Sequence, residues 1–126
     1  MFANAKATNG FAVDDIEAAK RFYSETLEIG VAELSEEFGL ISLQLPEGRD
    51  TLVYEKPDFV PATYTILNFE VDDVDAAVDE LSSRGVSFER YDDFDQDDKA
   101  IARGPGPSIA WFKDPAGNIL SVLQQP

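Results

Sequence analysis

The chain has 126 residues, 44% of them hydrophobic, which is the size and apolar content of one ordinary folded domain. Twenty-five acidic residues against 10 basic ones give a net charge of −15, so a nucleic acid backbone would find no basic surface to meet. Cysteine and histidine are both absent, which excludes disulfides, thiolate and imidazole metal ligands, and Ser-His or Cys-His catalytic pairs. Only oxygen is left to hold a metal ion, a donor that suits magnesium, calcium or manganese better than zinc, nickel or iron. No stretch approaches the ~20 apolar residues of a membrane-spanning helix. The opening residues, Met1 to Lys6, lack the charged-then-apolar layout of a signal peptide, so a cytoplasmic location is expected.

In chain order, residues 7–13 read as a strand. Asp14 can cap the helix that follows, with Glu17 three positions on completing a capping box. Ile16, Ala19, Phe22, Tyr23 and Leu27 fall at helical spacing, and Gly30 is a natural stop. Strands are predicted at 31–34, 39–45 and 51–55, with turns at 36–38 and 46–48. Residues 56–61 contain two prolines and read as a linker. A second strand at 63–71 leads to a cap at Asp72, with Asp75 following. The helix there carries Val74, Ala77, Val78 and Leu81 and stops at Arg84-Gly85. Strands are then predicted at 86–91, 108–112 and 118–123, the last two joined by an Asp114-Pro115-Ala116-Gly117 turn. Between 86–91 and 108–112 lies a long acidic loop, 92–107, with a short strand at 99–102 and a closing Gly-Pro-Gly-Pro. Those prolines leave too few N–H donors for a phosphate loop, and no other nucleotide motif is present.

The chain repeats itself. Residues 11–19 read FAVDDIEAA and residues 69–77 read FEVDDVDAA, an offset of 69 − 11 = 58. Each copy therefore reads strand, helix, strand, strand, strand. This is an α+β arrangement of two tandem βαβββ modules, 1–58 and 59–126, within a single domain 1–126. The acidic pairs 14–15 and 72–73 are explained by helix capping and the helix dipole.

The run from Val13 through Asp14, Asp15 and Ile16 to Phe22, Tyr23 and Leu27 resembles one hallmark of the glyoxalase/bleomycin-resistance/extradiol-dioxygenase (vicinal oxygen chelate) superfamily. The closing Phe112-Lys113-Asp114-Pro115-Ala116-Gly117-Asn118 resembles another. One departure is Glu28-Ile29-Gly30, where the family usually has glycine directly after the leucine. The resemblance implies that the modules curl into a partly open, cup-shaped mixed sheet with helices outside. It also implies a homodimer with cups completed between chains. Enzymes of the family hold one divalent metal in the cup through His, Gln and Glu from four strands. Carried over by motif, those four positions fall on Thr8, Ile66, Ser121 and, within a residue or two, Val53, with Glu55 inside that margin. Hydroxyl and aliphatic groups are poor transition-metal ligands, so neither a metal nor another cofactor is expected.

Strand alternation sends Phe11, Val13, Leu67, Phe69, Leu120 and Val122 toward the helices. Thr8, Gly10, Ala12, Ile66, Asn68, Glu70, Ile119, Ser121 and Leu123 then face the cup, joined by Thr51, Val53 and Glu55 if the fourth strand keeps that register. The expected ligand site is accordingly Thr8, Val53, Glu55, Ile66, Asn68, Glu70, Trp111 and Ser121, a mainly apolar pocket with a few polar groups. Trp111, the only tryptophan, could stack on a flat ligand or serve as ordinary core. These features point to non-metal binding of a small, cationic or aromatic molecule, as in drug sequestration. Two alternatives are a metal-independent isomerase or lyase using Glu55 or Glu70 as base, and a dimeric interaction module presenting the acidic loop.

Overall fold

Both halves of the repeat build a four-stranded sheet with the same strand order. The computed structural model describes all residues, 1–126, and divides into two units, Met1–Val60 and Pro61–Pro126. The first runs β1 (Asn9–Val13), α1 (Ile16–Arg21), β2 (Gly30–Ser35), β3 (Leu40–Gln44) and β4 (Thr51–Glu55). The second runs β5 (Thr65–Glu70), α2 (Val74–Ser83), β6 (Ala102–Arg103), β7 (Ser108–Lys113) and β8 (Ile119–Gln124). The sheet orders are β1-β4-β3-β2 and β5-β8-β7-β6. In each, the opening strand pairs parallel with the closing one and the remaining pairs are antiparallel. The α+β class and the βαβββ modules are as the repeat predicts.

The helices start one residue later than expected. The N-caps are Asp15 and Asp73, not Asp14 and Asp72. Asp15 Oδ1 accepts the N–H groups of Glu17 and Ala18, and Asp73 Oδ1 accepts that of Ala76. Glu17 therefore stands two residues after the cap, too near to close the expected box. A side chain from the closing strand sets this start. Glu55 Oε1 accepts the Ile16 N–H at 3.0 Å, and Gln124 Oε1 accepts the Val74 N–H at 2.9 Å. Both modules thus satisfy the first orphan helix donor in the same way.

The first helix departs from the second at its end. Residues Phe22–Thr26 widen into a π turn, closed by Leu27 N–H donating to Phe22 C=O. Counting from the caps, the left-handed residue that ends each helix is Glu28 (28 − 15 = 13) in one and Gly85 (85 − 73 = 12) in the other. The π turn accounts for the extra residue. Glu28 sits at φ 57°, a conformation that favours glycine. Glu28→Gly is expected to raise stability by up to about 1 kcal/mol, a few degrees in a thermal melt. A lower melting temperature would mean that the glutamate's own contacts outweigh the strain.

Two predicted strands are revised. Residues 86–91 form no strand. They touch the sheet through a bridge between Phe88 and Phe112 and a 2.8 Å bond from Glu89 N–H to Trp111 C=O. The edge position passes instead to Ala102–Arg103, later than the expected 99–102, because Ala100 adopts φ 64° and turns the chain first. The loop between these two edge contacts is tightly held. Gln96 Nε2 donates to Glu89 and Ala100 carbonyls at 2.9 and 2.8 Å, and its Oε1 accepts the Tyr91 N–H at 2.8 Å. Ala100, Ile101 and Ala102 are buried.

Candidate functional site

Which residues share a face follows from register. In the first sheet, Phe11 packs on Tyr23 at 5.9 Å between ring centroids, so Phe11 faces the helix. Phe11 is in register with Val53, Val13 with Glu55, and Asn9 with Thr51. Side chains in register across neighbouring strands lie on one face, so Thr51, Val53 and Glu55 face the helix too. The expected cup-facing placement of Val53 and Glu55 is corrected by one residue, which turns the whole strand over. Val53 is fully buried, and the Glu55 carboxylate is bound to the start of α1. The open face of this sheet carries Gly10 and Ala12, Ala32 and Ser42, and Leu52 and Tyr54 instead. Thr8 precedes β1 and is exposed.

In the second sheet the expected faces hold for the paired residues, Ile66 excepted. Gln124 reaches α2, so Val122 and Leu120 face that helix, and Ile119, Ser121 and Leu123 face away from it. Ser121 lies between Asn68 on β5 and Trp111 on β7, and these three side chains form one row across the face away from α2. The Ser121 hydroxyl is fully buried and donates to Asn68 Oδ1, while Asn68 itself is exposed. The Asn68 amide N–H₂ is thereby left as the outward donor of the row. Glu70 lies one row along, opposite Leu123, where its Oε1 accepts from Gln125 Nε2 at 3.2 Å. Ile66 is the unpaired residue of a bulge between Thr65 and Leu67.

Trp111 is only 8% exposed, and the rings of Tyr91 and Phe94 pack on it. Phe94 stacks on it at 4.8 Å with a 40° tilt, and Tyr91 meets it edge-on at 5.5 Å and 79°. The Tyr91 hydroxyl is buried and has no hydrogen-bond partner. Burial, then the nearby Glu89 carboxylate, pushes its phenol above the ordinary value, so it stays neutral. Sequence reasoning singled out Trp111 but missed Tyr91 and Phe94, since nothing in a run of acidic loop residues says which strand the loop folds back on.

A separate groove of about 270 Å³ opens beside the start of α2, lined by Glu70, Val71, Asp72, Gln124 and Gln125. Its walls are Val71 and four polar side chains, without an aromatic ring. No group of three or more acidic side chains stands close enough together to hold a metal ion, and no helix is long and apolar enough to cross a membrane.

The loop that carries Phe94 is pinned to α2 by charge. Lys99 Nζ donates to Asp79 at 2.9 Å, and Arg103 donates to Asp75 at 2.7 Å and to Asp97 at 2.9 Å. The hydrogen bond from Arg103 holds Asp75 below the ordinary carboxylate range. Burial raises Asp97, but the Ile101 N–H, Arg103 and the Lys99 N–H outweigh it and the net shift is downward. A carboxylate whose folded pKa is lowered stabilises the fold above its unfolded value and loses that contribution as pH falls through the folded one. The loop is therefore expected to stay attached from neutral pH down to the carboxylate range and to loosen below it. Hydrogen-exchange protection of the Lys99 and Ile101 amides, both bound to Asp97 Oδ1 at 2.9 Å, reports this directly. Protection unchanged down to pH of about 2 would contradict it.

Comparison with known proteins places this geometry. The profile of the Glyoxalase/Bleomycin resistance protein/Dioxygenase superfamily matches residues 7–122. Among solved structures, TnmS3, an antibiotic-binding protein from Streptomyces sp. CB03234, is 28% identical over 98% of both chains, with a TM-score of 0.69. A member of the same superfamily from Sphaerobacter thermophilus DSM 20745 is 23% identical over 95% of this chain and 98% of its own, with a TM-score of 0.69. Lactoylglutathione lyase from Agrobacterium tumefaciens is 19% identical over 96% of this chain and 93% of its own, with a TM-score of 0.70. At that level of identity the last two speak for the fold alone. No curated protein matches the chain.

Proposed function

The chain belongs to the Glyoxalase/Bleomycin resistance protein/Dioxygenase superfamily, and from that premise we propose that it binds a small aromatic or cationic molecule without a resident metal ion. The observation that carries this reading is the row of Trp111, Ser121 and Asn68 on the face of the second sheet away from α2. It combines a large flat ring, a buried hydroxyl and an outward amide donor, the mixture of apolar wall and sparse polar groups that small-molecule sites use.

The donor chemistry does not fit the metal that enzymes of the superfamily hold. Thr8, Ile66 and Ser121 stand at three of the four ligand positions, and the open face of β4 offers Leu52 and Tyr54. None of these is an imidazole, a thiolate or a carboxylate. Glu55, the one carboxylate near the fourth position, is engaged by the Ile16 N–H. That contact and its helix-facing placement weigh against Glu55 as the base of a metal-independent isomerase or lyase. The antibiotic-binding relative, 28% identical over nearly its whole length, supports binding rather than turnover. The net charge of −15 favours a cationic ligand. A homodimer in the cytoplasm completes the proposal. The exposed Leu34, Phe38 and Tyr54 of the first unit supply apolar surface for a second copy.

Titration with proflavine, a flat cationic ring system, tests the reading through Trp111 fluorescence. Saturable one-site quenching is expected. No response up to the dye's solubility limit contradicts it.

A further inference from the structure

Phe94 is an apolar ring where none is needed for the core. It is 51% exposed, yet it lies on Trp111 at 4.8 Å. The turn that carries it spans residues 92–95 of the long loop. On one side Tyr91 N–H is held by Gln96 Oε1, and on the other Gln96 Nε2 is held by two carbonyls. Between these anchors Phe94 donates its N–H to Tyr91 C=O at 3.1 Å. Its neighbours Asp92, Asp93 and Asp95 are all exposed. Gln96 therefore acts as a clamp across the base of a short flap. The flap can swing without disturbing the edge contacts of Glu89 or Ala102 with β7.

Beside Trp111 is a polar atom without a hydrogen-bond partner. The Tyr91 hydroxyl is shielded from solvent and makes no hydrogen bond. Such a group costs stability when left unmade, so a partner that supplies the missing bond is favoured there. It belongs to the ring that meets Trp111 edge-on, so it stands at the border of the surface Phe94 covers.

Resting on the binding reading above, we propose that Phe94 occupies the ligand's own aromatic subsite in the free protein. A flat cationic ring bearing an N–H group displaces it, stacks on Trp111 and donates a hydrogen bond to the Tyr91 hydroxyl oxygen. The carboxylates of Asp92, Asp93 and Asp95, all exposed on the flap, add negative potential that favours a cation. The free protein is thus self-capped, and the contact between Phe94 and Trp111 is the part of the binding free energy that the ligand must replace.

Proflavine binding, followed by calorimetry on wild type, Phe94→Ala and Tyr91→Phe, tests this. Phe94→Ala is expected to bind about three- to ten-fold tighter, the worth of the ring contact it no longer has to break. Acrylamide quenching of Trp111 in the free Phe94→Ala protein should rise well above wild type. Tyr91→Phe should bind about five-fold more weakly while its melting temperature holds or rises, since it removes an unsatisfied group. Equal or weaker binding by Phe94→Ala, with wild type still binding, overturns the displacement and leaves the binding reading standing. Unchanged affinity of Tyr91→Phe overturns the assigned hydrogen bond. Absence of saturable binding by all three proteins overturns both readings together.

Discussion

Replacing Asp114 with alanine is expected to destabilise the protein by about 3 kcal/mol and lower its melting temperature by roughly 10 °C. The carboxylate is 5% exposed and organises the turn between β7 and β8. Its Oδ1 accepts the N–H groups of Ala116 at 3.0 Å and Asn118 at 2.9 Å, and its Oδ2 accepts from Asn118 Nδ2 at 3.1 Å. Alanine would leave those donors buried without an acceptor. Asp114→Asn keeps the acceptor for the two backbone groups but sets an N–H₂ against that of Asn118, so an intermediate loss is expected. The hydrogen bonds of Asp114 make the closing motif that carries the family resemblance a folding device. A loss below about 1 kcal/mol in a urea melt of the alanine variant would contradict that account.

Trp111→Leu is expected to weaken proflavine binding by at least about ten-fold, near 1.4 kcal/mol. Calorimetry is the readout, because the substitution removes the only tryptophan. Leucine keeps an apolar group against Tyr91 and Phe94 but offers no flat surface for a ring. A circular-dichroism melt alongside separates lost binding from lost fold. Binding within two-fold of wild type, a factor of about 0.4 kcal/mol, would place the ligand elsewhere.

Much of the architecture is legible because the repeat is. Once FAVDDIEAA and FEVDDVDAA are aligned, each half reads strand, helix and three strands, and the structure has that order in both. The doubled aspartates conceal the helix start, since either residue can cap. The deciding contacts come from Glu55 and Gln124, about forty to fifty residues away, and no local rule sees them. β4 illustrates a different failure. Leu52 and Val53 are both apolar, so period-two alternation does not tell the faces of that strand apart, and only pairing with Phe11 does. Asn68 and Ser121 were readable from Val122 and Phe69, which alternate with polar neighbours. The aromatic cover on Trp111 was not, because Tyr91 and Phe94 reach it through a loop whose course depends on the Gln96 amide and the bonds of Lys99 and Arg103.

The most direct test of a binding site without a metal is proflavine titration of tag-free protein whose metal content has been measured. The titration is run in excess chelator and again with added zinc, nickel, iron(II) or manganese. The account predicts less than stoichiometric metal, one dissociation constant unchanged across all conditions, and saturable quenching of Trp111. Stoichiometric metal with binding or turnover that disappears on chelation would contradict it.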